Sequence, residues 1–349
     1  MERLAGAGDT TMSNDNLPPF LQGLLHPDRY EHPAQDLRLL QTHISYVILA
    51  GDFVYKFKKP VNFGFLDFSD LEKRRTCCQQ ELLLNRRLCP DIYLGMVTVT
   101  VEPGGHWTLN GKGEVIEYGI KMVRMPEDRM MNHLIRSGNL REHHIDMLVE
   151  VLADFYQRAD SSDEIRRFGT AAAVGVNVLE NFEQTKAFIG QGALNQSQFA
   201  LISSYARQFL DQEELFQRRI DSGYIRDCHG DLYSANICLA EKVYIYDCIE
   251  FNQRFRYCDV ASDVAFLAMD LDFFGLDELA RRFIESFSRK TADSGLVDLL
   301  NFYKCYRAYV RGKIGLFTAN DPAVDPAVQA TSLENAAKYF ILAQRYAAE

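Results

Sequence analysis

Several things are missing from this 349-residue chain, and each absence removes a class of protein. It has no P-loop, because neither Gly111-Lys112 nor Gly312-Lys313 carries the upstream glycine or the following Ser/Thr that such a loop needs to cradle phosphates. It has no Cys-x-x-Cys pair. Its eight cysteines, several within apolar runs, suit a reducing cytoplasm in which they pack as small hydrophobes. Cys228, Cys238, Cys248 and Cys258 recur every ten residues, but zinc ligands come as closer pairs, so the spacing argues against a zinc site. Cys77-Cys78 reads as packing rather than redox chemistry. An excess of positive charge is lacking too. With 38 Lys and Arg against 48 Asp and Glu the net charge is −10, which argues against a general binder of nucleic acid or anionic membrane and leaves only a local basic patch open. The most apolar window, Val260 to Phe274, is broken by Asp263, Asp270 and Asp272 and does not read as a membrane span. Residues 1–16 are polar, with no basic start followed by an apolar core, and read as a disordered leader without a secretion signal. There is no internal repeat and no low-complexity tract. A composition of 47% hydrophobic and 25% charged residues describes a soluble globular chain of one large or two moderate domains.

The informative stretch is His229-Gly230-Asp231-Leu232-Tyr233-Ser234-Ala235-Asn236, with Asp247 eleven residues further on. Ile237-Cys238-Leu239 and Val243-Tyr244-Ile245-Tyr246 are β-rich runs separated by Ala240-Glu241-Lys242, which predicts a hairpin. The hairpin would bring Asn236, before its first strand, and Asp247, after its second, to the same end. Two oxygen donors then converge on one cation. Magnesium takes oxygen ligands and completes its shell with water and nucleotide phosphates, so one carboxylate and one amide suffice. Asp231, on the preceding loop, would orient an acceptor hydroxyl and take its proton. These are the parts that metal-assisted transfer of a γ-phosphoryl group needs.

On these residues the chain resembles the aminoglycoside phosphotransferase-like kinases, small-molecule relatives of protein kinases whose catalytic loop reads His-Gly-Asp. Asp231 matches the family's catalytic Asp, Asn236 its metal-binding Asn and Asp247 its metal-binding Asp, with His229 a buried prop for the loop. Two departures stand out. Tyr233 replaces a second His found in many members, and Cys248-Ile249 follows Asp247 where protein kinases have Phe-Gly. The resemblance implies an α+β, two-lobed protein-kinase-like fold, with ATP and Mg2+ as cofactors. A bacterial branch sharing the Lys58-Lys59-Pro60-Val61-Asn62-Phe63-Gly64-Phe65 type of insert often carries a C-terminal P-loop ATPase, and this chain looks like a stand-alone version.

A nucleotide-binding lobe is expected upstream. Tyr46–Ala50 and Phe53–Phe57 are strand-like and joined by Gly51-Asp52, a tight hairpin loop. Period 2 places Val54, Lys56 and Lys58 on one face and Phe53, Tyr55 and Phe57 on the other. Lys56 is expected to reach the α- and β-phosphates, with Lys58 as the alternative, while Lys58 and Lys59 otherwise read as solvated. Ser69-Asp70-Leu71-Glu72 has capping-box spacing and predicts a helix from there to about Leu88, stopped by Cys89-Pro90. Glu81 lies on that helix's apolar face, where a carboxylate needs a cation. Lys56 supplies one, and a surface pair with Arg86 or Arg87 is the competing reading. No Gly-x-Gly-x-x-Gly precedes the first strand, so phosphate contact is assigned to backbone N–H groups and the Thr42 and Ser45 hydroxyls. Tyr118–Val123 reads as a strand and Arg124-Met125-Pro126-Glu127 as the hinge where adenine binds, with Met122, Arg124 and Met125 as candidate contacts and Met130–Ile135 helical beyond.

The expected organisation is a leader over 1–16, a small β-rich N-lobe over 17–125 and a larger, mostly helical C-lobe over 126–349. Helices are expected at about Glu142–Ala159, Val178–Ile189 and Gln196–Ile220. In the resembling family the acceptor site is built from helices there and after the hairpin, which points to residues 160–225 and 255–320. Glu250, Asp259, Asp263, Asp270 and Asp272 form an acidic cluster suited to a cationic acceptor, and Arg307 and Arg311, close to Lys313, a basic one suited to an anionic acceptor. The competing reading is that Asp259 and Asp263 anchor the catalytic loop and the basic residues pair with them. The expected activity is ATP-dependent phosphorylation of a hydroxyl on a small, sugar-like or amino-sugar molecule. A protein-directed kinase and a catalytically idle nucleotide-binding module are the alternatives. The missing Ala-Pro-Glu signature argues against the first, and the retained base Asp231 against the second.

Overall fold

Alternating apolar residues between short polar turns build the first third of the chain into strands. The computed structural model describes residues 17–322 and 324–349, so the leader expected over residues 1–16 lies outside the described residues. Two compact units result. One runs to Glu127 and takes in Ile245–Asn252 and a few residues from Pro322; the other holds Asp128–Tyr244, Gln253–Asp321 and Pro326–Glu349.

The first unit is a six-stranded sheet of β1 (Arg38–Gln41), β2 (Ser45–Ala50), β3 (Phe53–Lys58), β4 (Tyr93–Val101), β5 (Trp107–Leu109) and β6 (Glu114–Val123). Their order is β1-β2-β3-β6-β4-β5, with antiparallel neighbours throughout. Ala50 faces Phe53 across the two-residue turn. Gly51 at φ 58 is required there, since a Cβ would lie 2.3 Å from the Pro33 carbonyl oxygen. Tyr55 and Phe57 pack with Ile48, Val97 and Val99 against α1 (Pro19–Leu24), which forms the unit's core. Helix α2 (Leu71–Asn85) packs on β4 and β6, and the Arg74 guanidinium pins it there by donating to both oxygens of the buried Glu117 carboxylate at 2.8 and 3.0 Å. The helix is capped by Asp70, whose carboxylate accepts from the Lys73 N–H, rather than by Ser69. The Ser69 hydroxyl instead donates to Asp67 at 2.6 Å. The helix also ends at Asn85, three residues before the expected Leu88.

The second unit is mostly helical. Its helices are α3 (Met131–Arg136), α4 (Glu142–Arg158), α5 (Asp163–Arg166), α6 (Ala171–Thr185), α7 (Gln196–Leu210), α8 (Glu213–Asp221), α9 (Gln253–Arg256), α10 (Val260–Phe273), α11 (Asp277–Thr291), α12 (Leu296–Ala319) and α13 (Pro326–Ala348). The single helix expected over Gln196–Ile220 is two, broken at Asp211-Gln212. The strand β7 (Ile225–Asp227) pairs with β10 (Tyr257–Asp259), and the expected hairpin is β8 (Ile237–Leu239) with β9 (Val243–Ile245). Helix α10 is the apolar window of the sequence. Every residue from Val260 to Asp272 is buried, because α11 and α12 pack against it. No helix among the described residues is long and apolar enough to cross a membrane.

Candidate active site

Lys56 sits on a central strand, paired with Val47 on one side and Ile120 on the other, so its stem is fixed and its ammonium projects from the face opposite Tyr55 and Phe57. There it donates to Glu81 Oε1 at 2.9 Å and to Asp247 Oδ1 at 2.5 Å. Glu81 is fully buried while the Asp247 side chain is 43% exposed. Burial works against the Lys56 charge, but Asp247 and Glu81 outweigh it and raise its pKa above the ordinary lysine value. Burial likewise opposes the Glu81 charge, yet Lys56 and Lys58 hold its carboxyl below the usual range. The competing partners of Glu81 are engaged elsewhere. Arg86 donates to the Tyr93 and Leu94 carbonyls, and Arg87 to the Leu84 carbonyl.

Lys58 and Lys59 are not solvated: they are 2% and 7% exposed. Lys58 shares the Lys56 face and ion-pairs with both Glu81 Oε2 and Glu250 Oε1, and Lys59 lies 4.8 Å from the Tyr46 ring centroid. Glu250, expected near the acceptor, is therefore a partner of Lys58 with its side chain 4% exposed, and burial raises its pKa against the pull of that ammonium. Asp247 adopts the left-handed region at φ 62. Its N–H reaches the Tyr93 hydroxyl at 3.3 Å, and the Cys248 N–H donates to Asn85 Oδ1 at 2.9 Å. The sequence reading held Lys58 only as the alternative to Lys56 and put Glu250 with the acceptor, and it missed Tyr93 and Asn85 altogether. For Asn85 a signal exists, since it lies one helical turn after Glu81.

In the second unit the loop from His229 to Asn236 is held by carboxylates of α10. Asp263 Oδ2 accepts from the His229 N–H at 2.7 Å and Oδ1 from the Gly230 N–H at 3.0 Å, and Asp270 Oδ2 accepts from the Ser234 N–H at 2.9 Å. Tyr156 donates to Asp263 at 3.1 Å. His229 is fully buried and accepts from the Asp231 N–H through Nδ1 at 3.3 Å. Asn236 Nδ2 donates to the Asp231 carbonyl at 3.0 Å and to its carboxylate at 3.1 Å. Both partners are acceptors, so the amide nitrogen faces Asp231 and the amide oxygen points away from it.

The remaining expected residues divide unevenly. The Thr42 hydroxyl is used in its own turn, accepting from the Ser45 N–H at 2.9 Å, while the Ser45 hydroxyl is buried without a hydrogen bond. Met122 is buried opposite Val54 and Tyr93 in the sheet, and Met125 is half-buried. Arg124 donates its N–H to the Asp52 carbonyl at 2.8 Å and pairs with Glu127 at 2.9 Å. Arg307 is a loop brace, donating to the Gly230 carbonyl at 3.0 Å and standing 3.6 Å from Asp263. Arg311 is buried over the Tyr233 ring, 4.7 Å from its centroid. The acidic cluster is taken up internally as well: Asp259 caps α10 and pairs with Arg219, and Asp272 accepts from Lys304 at 2.7 Å.

No protein-family model matches the chain. Uncharacterized proteins of Mycobacterium tuberculosis and Mycobacterium bovis are 33% identical to it over 288 residues, 81% of this chain and 56% of theirs, so the chain spans little more than half the length of these curated relatives. Among solved structures, a choline kinase of Cryptosporidium parvum superposes with a TM-score of 0.51 at 10% identity, covering 93% of each chain. An aminoglycoside phosphotransferase solved with AMP-PNP and hygromycin B gives 0.47 at 11% identity, covering 88% of this chain and 94% of that one. At such identities the first of these carries the fold and nothing finer.

Proposed function

We propose, from the premise that this chain has the two-lobed protein-kinase-like fold, that it transfers the γ-phosphoryl group of ATP to a hydroxyl of a small, sugar-like molecule. The observation that carries the reading is a half-buried lysine on a central strand, ion-paired at once with a helix carboxylate and with the carboxylate that follows the hairpin. In this reading Lys56, held by Glu81, binds the nucleotide phosphates. Asp231 takes the proton of the acceptor hydroxyl as the oxygen attacks phosphorus, and the Asn236 amide keeps the Asp231 carboxylate oriented. The donor set fits magnesium. Asp247 offers carboxylate oxygens, and around Lys56 two ammonium groups face three carboxylates, so formal negative charge is in excess beside the partly exposed Asp247. When bound, the ion would neutralise charge on the transferred phosphate. The eight cysteines, none in a disulfide, suit a reducing cytoplasm.

Incubation with γ-labelled ATP, Mg2+ and a mixture of sugars, amino sugars and protein extract tests the reading. Label is expected on a small-molecule fraction. Label confined to protein would replace it with a protein-directed kinase. Nucleotide bound without any transfer would make the chain a binding module.

A further inference from the structure

The second lysine of β3 is unexplained by phosphate binding, because its ammonium is sealed from solvent. Lys58 lies two residues after Lys56 on the same face, and its side chain is 1% exposed. It reaches Glu81 Oε2 while Lys56 takes Oε1, so one helix carboxylate is divided between two strand lysines. Its other partner, Glu250, is three residues beyond Asp247 and 4% exposed at the side chain. Cys77 also donates to Glu250 Oε1, at 3.3 Å, and the Phe68 ring centroid lies 5.4 Å from the Lys58 nitrogen.

The segment carrying Asp247 has no regular structure after Ile245 and places a non-glycine residue in the left-handed region, a conformation that persists only when its surroundings enforce it. On its N-terminal side, Cys89 donates to the Ile245 carbonyl at 2.9 Å, and the Tyr93 and Asn85 contacts hold the Asp247 and Cys248 amides. On its C-terminal side, Lys58–Glu250 is a buried charged tie to β3. We infer that Lys58 and Glu250 form a positioning pair that sets the Asp247 carboxylate beside Lys56 and so prepares it for a divalent cation. The cation part rests on the phosphotransferase reading; the positioning part does not.

The test is hydrogen exchange on the nucleotide-free protein, with metal-dependent nucleotide binding followed separately by calorimetry. Glu250→Gln should speed exchange of the Asp247 and Cys248 amides about tenfold or more, as local opening becomes easier. It should also raise the Mg2+ concentration needed for half-maximal ADP binding by about the same factor. Lys58→Arg, which keeps a cation opposite Glu250, should leave both near wild type. If Glu250→Gln does not fold, Lys58→Met/Glu250→Met is read instead, because replacing a whole buried pair with apolar groups tends to preserve stability. Wild-type exchange at those two amides in folded Glu250→Gln, or in Lys58→Met/Glu250→Met where that is read instead, overturns the inference. Faster exchange with an unchanged Mg2+ requirement upholds the tie and overturns its role toward the cation. Failure of the wild-type protein to bind Mg-nucleotide at all would instead refute the phosphotransferase reading.

Discussion

The two units bury polarity in opposite ways. Around Lys56, side chains hold side chains: two lysines and three carboxylates, each on a rotatable stem, share charge across β3, α2 and the 245–252 segment. Around Asp231, one α10 carboxylate holds the chain itself, because Asp263 accepts from consecutive backbone N–H groups. The difference matches what the proposed function would ask of each region. Groups that accommodate an arriving cation and its phosphates gain from being able to redistribute, whereas a general base acts only where its geometry is fixed beforehand.

The contrast can be broken at several points. The largest effect is expected at Asp231, the proposed base. Asp231→Asn should lower turnover roughly 10²–10⁴-fold with nucleotide affinity unchanged, as read by steady-state kinetics and calorimetry. Normal turnover would remove Asp231 as the base. Next comes the clamp, where Asp263→Ala strands two buried amides and the Arg307 guanidinium. A loss of about 3–5 kcal/mol in urea unfolding is expected, and a loss near zero would show that the loop is held by something else. In the first unit, Lys56→Met should weaken nucleotide binding by about 1.5–3 kcal/mol, the worth of a hydrogen bond to a charged group, and leave the fold intact.

The charged network should also be the acid-sensitive region. With its folded pKa held below the ordinary 4.5, Glu81 contributes stability that is complete above pH 4.5 and is lost as pH falls through the lower folded value. Glu81→Gln should therefore flatten the acid limb of the stability curve below pH 4.5, and an unaltered limb would break the assignment. The smallest effect belongs to the start of the helix that carries Glu81. Asp70→Ala should cost about 1 kcal/mol in thermal or urea unfolding, and Ser69→Ala clearly less.

How much of this was legible in the sequence depended on whether the signal was local. Strand alternation located β2, β3 and their Gly51 turn, and the polar run Ala240-Glu241-Lys242 located the hairpin. Lys56 and Glu81 were found because a carboxylate on an apolar helix face demands a cation. The fate of Lys58 was not legible, since nothing local says that Glu250, 192 residues away, will supply its counter-charge. The cap was misplaced by one residue: Ser69 and Asp70 are adjacent and both suit the position, and the Lys73 N–H donates to Asp70. The acidic and basic clusters after the hairpin read either as acceptor determinants or as anchors of the loop, and the long-range partners decide: Asp259 pairs with Arg219, Asp263 and Asp270 accept from the Gly230 and Ser234 amides, and Arg307 donates to the Gly230 carbonyl.

The conformation of Asp247 limits which replacement there can be interpreted. A β-carbon followed by any ordinary side chain is disfavoured at a backbone of this hand, whereas asparagine tolerates it at least as well as aspartate. Asparagine thus removes the charge and keeps the path of the chain. Alanine alters both, and its defect would mix lost ligation with a refolded bend.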